Sequence, residues 1–248
     1  MLYNSFSFLL FFPIVATFFF LLPHKIRQGY LLVVSYFFYM NWSPTYSLFL
    51  VFVTLVSYVG AQILQKFCES ENDKLRRVVL ASTLLLCFSG LFIFKYLNFL
   101  NDSLWGLFSL MGIRMEVPHL ELLLPVGISF YTFQACGYMI DVYRRQIMVE
   151  RNFCTYALFI SFFPQIAAGP IGRGKELLPQ FKVKHYLNRE DITTGLRWML
   201  WGYFMKVVVA DRLALYTDAV FGNIAHHTGG SILVAAVLFT FQIYCDFA

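Results

Sequence analysis

Charge is what this sequence has least of. Asp, Glu, Lys and Arg make up 13% of its 248 residues, about half the ~25% of a soluble domain. That scarcity excludes a water-soluble enzyme, because too few polar side chains remain to cover a surface in water. Cysteine is sparse and unpatterned: Cys68, Cys87, Cys136, Cys154 and Cys245 form no C-x-x-C and no histidine pairing at ligand spacing. No disulfide framework or zinc site is implied. The G-x-S-x-G elbow, the phosphate-cradling glycine loop and H-E-x-x-H are all missing, so the sequence by itself names no reaction. The 19 Lys+Arg and 14 Asp+Glu lie in small groups, which gives no basic stripe for nucleic acid.

What is there is apolar and aromatic. Hydrophobic residues are 59% of the chain, Phe alone contributes 29, and mean hydropathy is +0.64. A lipid-facing surface needs no polar cover, so the composition implies a protein embedded in the bilayer. The apolar runs are continuous rather than alternating, which favours helices over a membrane barrel. They fall at 6–22, 30–40, 46–64, 78–94, 122–140, 153–171, 192–210 and 231–248. At about 20 residues per crossing, about seven transmembrane helices use the whole length. The expected fold class is an all-α polytopic membrane protein, with 1–248 belonging to one transmembrane domain. The 30–40 run is short for a straight crossing and is expected to borrow Gln28-Gly29 and Asn41-Trp42 at its ends. The first 22 residues have no basic n-region and no small-residue cleavage site, so they read as a retained span rather than a secretion signal.

Loop charge then orients the runs, since basic loops stay in the cytoplasm. Lys25 and Arg27 lie between the first two runs, no charge lies in 41–45, and Lys66, Lys74, Arg76 and Arg77 follow the third. The 101–121 connection has one basic residue, Arg114, and the next has Arg144, Arg145 and Arg151. This alternation places the N-terminus outside. It fails at 153–171, which is followed by another basic stretch of Arg173, Lys175, Lys182, Lys184 and Arg189. A single crossing cannot have both flanks in the cytoplasm. The run also holds Phe163-Pro164-Gln165 and Gly169-Pro170, and proline removes a helical hydrogen bond and clashes with the turn before it. The expectation is that 154–172 dips in and returns on the cytoplasmic side, or lies there as a half-helix. The alternative is a proline-kinked crossing.

Ionisable residues within apolar runs are functional candidates by default. Arg197 and Lys206 lie about 7–8 Å and 6 Å from the ends of their run at a 1.5 Å rise, so both are expected to snorkel to headgroups. Lys95 reads as a span-end anchor, and Asp246 is unexplained. His24, His119, His185, His226 and His227 all fall in loops and are expected to be solvated.

Four stretches in order carry a resemblance. They are Leu124-Pro125-Val126-Gly127-Ile128-Ser129-Phe130-Tyr131-Thr132-Phe133-Gln134, with Tyr138-Met139-Ile140-Asp141-Val142-Tyr143-Arg144 after it, and then Phe162-Phe163-Pro164-Gln165-Ile166-Ala167-Ala168-Gly169-Pro170-Ile171-Gly172-Arg173. Gly195-Leu196-Arg197, Gly202-Tyr203-Phe204-Met205-Lys206 and Ala210-Asp211-Arg212 follow, and Phe241-Gln242-Ile243-Tyr244-Cys245-Asp246-Phe247-Ala248 closes the set. Together they resemble the membrane-bound O-acyltransferase family, in its bacterial branch of alginate O-acetylation and teichoic acid D-alanyl transfer. The resemblance implies a ring of tilted helices around a funnel with re-entrant cytoplasmic segments. It also implies transfer of an acyl group, usually acetyl, from a cytoplasmic donor to a hydroxyl of an extracytoplasmic polysaccharide. No bound cofactor is implied; acyl-CoA or an acyl carrier is the donor substrate. The implied partners are the lipid bilayer of the bacterial inner membrane, the polysaccharide and periplasmic acetylation proteins. Gln134, Pro164, Gln165, Gly169, Pro170 and Arg173 match the positions that would shape the cytoplasmic mouth. The family's presumed basic histidine sits in a Trp-His-x-Ser segment, and the sequence closes at Ala248 without that segment. The expectation is therefore an N-terminal part, inactive by itself, with no histidine here taking that role. Two other readings stay beside this one: an inactive membrane interaction subunit, and a small permease, for which no inverted repeat is found.

Overall fold

The computed structural model describes residues 3–42, 44–69, 73–110, 126–167 and 169–247. Among them every regular element is helical. They form two compact units, Leu22–Lys184 and the pairing of Met1–Leu21 with His185–Ala248.

The larger unit holds α2 (His24–Met40), α3 (Pro44–Glu69), α4 (Asp73–Leu110), α5 (Ile128–Tyr143), α6 (Phe153–Ser161) and α7 (Gly174–Lys182). The expected extension of the short second run occurs at its N-terminal side, back to His24, while Asn41 caps the other end. No proline falls between Pro44 and Pro118, so nothing in that stretch removes a helical hydrogen bond. Helix α4 accordingly runs on to Leu110, where a loop from 101 was expected. Lys95 therefore lies inside a helix rather than at its end. Residues 122–125 of the fifth run, Arg114 and His119 lie outside the described residues.

Helices α3 and α4 have stretches, Pro44–Phe67 and Asp73–Phe94, long and apolar enough to cross a membrane. Helix α3 is the hub, in contact with α2, α4, α5 and α6. Its Leu50, Val53, Ser57, Ala61 and Leu64 are covered at the three-, four-, seven- and eleven-residue spacings that return to one helix face. Helix α5 is buried nearly all round, including Tyr131, Ala135, Tyr138 and Met139.

The 153–171 run does not form a crossing. Helix α6 has nine residues, a rise of ~13 Å against a hydrocarbon thickness of ~30 Å. From Tyr156 to Ser161 every residue is buried, so protein rather than lipid surrounds it. Its flanks then meet. Lys182 Nζ pairs with Glu150 Oε2 at 2.5 Å. The Gln28 amide donates to the Phe181 carbonyl at 2.9 Å and accepts from Thr155 Oγ1 at 2.9 Å. One side chain of α2 thus holds both arms of a segment that doubles back. A proline-kinked crossing would separate those arms by the membrane's thickness, and the ion pair contradicts it. Single cysteines at the exposed Arg151 and Lys175 positions are expected to react with a membrane-impermeant maleimide from the same side. Labelling from opposite sides would restore the crossing.

The smaller unit holds α1 (Phe6–Leu21), α8 (Arg189–Tyr203), a π-helical segment (Phe204–Ala210), α9 (Asp211–Phe221) and α10 (Gly229–Phe247). A short turn at Ile224–His226 joins the last two helices. Helix α10 is long and apolar enough to cross a membrane, and α1 is a shorter apolar helix. Thr217 is fully buried, and its hydroxyl donates to Gln242 Oε1 at 2.7 Å, tying α9 to α10. The Phe221 and Phe239 rings meet edge to face at 5.7 Å.

In the smaller unit the expectation of a snorkelling Lys206 is corrected. Its ammonium lies 2.9 Å from Asp211 Oδ1 and 2.5 Å from Asp246 Oδ1. The wider turn explains the first pair. Asp211 N–H donates to the Lys206 carbonyl, the i→i+5 bond of a π-turn, so residues five apart sit one above the other. In an α-helix they would be ~140° apart. Asp246, the unexplained acid, reaches the same ammonium from α10. Arg197 is exposed, as are His185 and His226.

Candidate functional site

The bend after α6 is built from backbone groups that lost their partners. Asn152 starts the helix, its Oδ1 accepting from Cys154 N at 2.9 Å and Thr155 N at 3.4 Å, as an N-cap does. Pro164 ends it. It has no N–H for the Ile160 carbonyl, and the residue before a proline is pushed out of the helical region. The bond from Phe163 N–H to the Phe159 carbonyl is therefore broken, and each half finds a side chain from another helix. Phe163 N–H donates to Ser35 Oγ of α2 at 3.2 Å. The Phe159 carbonyl accepts from Gln134 Nε2 of α5 at 2.7 Å. Leaving either group bare in a buried place costs ~1–3 kcal/mol, so Ser35 and Gln134 are what permit the break.

Beyond the break the chain turns tightly. Gln165 N and Ile166 N both donate to the Phe162 carbonyl, and Gly169 N to the Gln165 carbonyl, all at 2.9–3.0 Å. Gly127, at the start of α5, has φ +74°, and a Cβ there would collide with the Ile166 carbonyl. Glycine is required on both counts, since the left-handed region penalises other residues. Tyr39 Oη holds the adjacent Val126 carbonyl at 3.1 Å. The return arm begins at Arg173, whose carbonyl accepts from Glu176 N and Leu177 N at 3.0 Å.

The six residues singled out from the sequence divide here. A Cβ at Gly172 would stand 2.9 Å from Gln165 Oε1 and 3.5 Å from Gln134 Nε2, so the two amides converge over one glycine. Gln165 Oε1 is buried with no hydrogen-bond partner among the described residues. Gly169 is partly covered, and Pro164, Pro170 and Arg173 are exposed. Arg173 is the single ionisable side chain between 162 and 173. This is chemistry for holding and orienting polar groups; the bend itself supplies neither nucleophile nor base. Sequence reasoning missed Ser35, Gln28 and Glu150. Glu150 is buried, accepts from Asn152 N at 3.0 Å through Oε1, and anchors Lys182. Its carbonyl accepts from Gln62 of α3 at 2.8 Å. No local signal marks these three, because each acts across 32–153 positions of chain.

No protein-family model matches the chain. Curated relatives do. It is 34% identical over 250 residues to the probable alginate O-acetylase AlgI of Pseudomonas aeruginosa, an alignment that takes in all of this chain and 47% of that protein. Identity to the protein of that name in Azotobacter vinelandii is also 34%, over all of this chain and 49% of the relative. The peptidoglycan O-acetyltransferase of Helicobacter pylori is 32% identical over 245 residues, 88% of this chain and 45% of that protein. The relatives it matches are O-acetyltransferases of membrane-bound O-acyltransferase type, and the chain is similar to them. It spans about half the length of the curated relatives it matches.

Proposed function

We propose that these residues form part of a membrane O-acyltransferase that moves an acetyl group from a cytoplasmic thioester, acyl-CoA or an acyl carrier, to a hydroxyl of an extracytoplasmic polysaccharide. The observation that carries this reading is identity of 31–34% to proteins named as O-acetylating enzymes, five of the six over the full length of the chain. In the transfer, the acceptor oxygen forms the new ester bond and gives up its proton, while the carbonyl–sulfur bond breaks and the thiol leaves. The residues here supply position rather than proton transfer. The doubled-back segment is read as a re-entrant wall on the cytoplasmic face of the inner membrane, within about seven spans and with the N-terminus outside. Gln134, Pro164, Gln165, Gly169, Pro170 and Arg173 shape the donor's route, with Gln165 and Arg173 offering hydrogen bonds to the thioester portion. The two prolines and Gly169 act through the shape of the turn.

The test is made in the cell that owns the gene, with its product intact. Gln165→Ala and Arg173→Ala are each expected to lower ester-linked acetate on the envelope polysaccharide about tenfold, the loss that one or two charge-assisted or buried hydrogen bonds represent. Unchanged acetate at normal protein levels would remove both from the site.

A further inference from the structure

In the larger unit a groove of about 550 Å³ opens between the start of α2 and the start of α6. Leu22, Ile26 and Tyr30 give its lining an apolar share. Its polar lining donates and does not balance. Lys25 is exposed and has no carboxylate partner among the described residues. The Asn152 oxygen is spent on capping α6, and its side-chain amide nitrogen makes no hydrogen bond among the described residues. Gln28, also in the lining, is spent on the two arms of the hairpin. No acid is among the described residues that line the groove.

A cationic, donor-rich lining with an apolar share fits an anion carried on a greasy stem. We propose that this groove seats the headgroup of an anionic phospholipid, its phosphate on Lys25 and Asn152 and the start of an acyl chain along Leu22 and Ile26. Charge complementarity selects the lipid. In a membrane protein the surrounding solvent at such an edge is lipid, and anionic headgroups gather where lysines meet the surface. The residues involved are separate from Gln134, Gln165 and Arg173, so this inference stands or falls without the transferase reading.

Cys154 lines the same groove and is partly exposed, which makes it a reporter. The full chain, with the other four cysteines changed to serine, is placed in nanodiscs of phosphatidylcholine with or without phosphatidylglycerol, and alkylation of Cys154 by a soluble maleimide is timed. Phosphatidylglycerol is expected to slow the reaction about fivefold, the factor that ~1 kcal/mol per surface lysine represents. Lys25→Gln should remove most of that protection. Equal rates in the two lipids would overturn the proposal. So would protection that persists undiminished in Lys25→Gln, which would mark a general surface-charge effect. Inorganic phosphate protecting as well as the lipid would overturn it too, in favour of a soluble anion. Acetylation is not part of the readout, so an inactive chain still answers the question.

Discussion

Gly127→Ala is expected to destabilise the larger unit by about 2–5 kcal/mol, a large share of the ~5–15 kcal/mol that holds a domain. The cost has two independent parts. An L-residue at φ +74° loses ~1–2 kcal/mol to its own backbone. The new methyl also lands on the Ile166 carbonyl, a backbone atom pinned by its neighbours, and forcing an extra carbon into a filled space costs ~1–3 kcal/mol. Neither part can be relieved cheaply, because Ile166 sits in the turn whose amides already share the Phe162 carbonyl. The check is thermal unfolding in detergent beside Gly137→Ala, in the same helix but with open space where its Cβ would go. That control should be neutral or stabilising by up to ~1 kcal/mol. Equal behaviour of the two variants would show that the bend does not press on α5.

The second large effect is expected at Lys206. Changing it to methionine removes the one cation between Asp211 and Asp246 and leaves two carboxylates without a counter-charge in an apolar setting. The side chains are only about two-thirds covered, at 36%, 42% and 31% exposure. The loss expected is therefore about 1–3 kcal/mol rather than the ~3–5 kcal/mol of a fully buried broken pair. The exchange Lys206→Asp with Asp246→Lys puts the cation back between two acids, and it should recover at least half of what Lys206→Asp alone loses. A double-mutant cycle on unfolding free energies reads the coupling directly, and ~1 kcal/mol or more is expected. Additive losses would mean that α10 is held by Thr217–Gln242 and ring contacts alone.

These two results concern features of different legibility. The doubled-back segment could be foreseen. Basic residues on both sides of a proline-broken run conflict with a single crossing, and the chain there does double back, in through α6 and out through the arm that begins at Arg173. The identity of what satisfies the broken backbone could not be foreseen. Ser35 and Gln134 are ordinary helical residues whose meaning appears only when Phe163 and Phe159 come within reach of them. Gly127 stood in a quoted motif, but its reason, a carbonyl almost 40 positions away, is a matter of tertiary approach. Snorkelling of Lys206 follows from its depth in the run alone, and depth says nothing of a neighbour at Asp211, which 3.6 residues per turn would turn away from it. The π-segment changes that period locally and stacks Lys206 on Asp211. Helix α4 continues through the polar residues near 101 to Leu110, because polar residues end a helix only when something better claims the backbone.

The Gln28 bridge sets the order in which this fold can be made. A nine-residue helix with a proline behind it lacks the length for which the insertion machinery admits a span on hydrophobicity. Its two legs are fastened by a side chain synthesised more than a hundred codons earlier. The hairpin must therefore be threaded into place after the second helix has settled in lipid, as a late step of biogenesis.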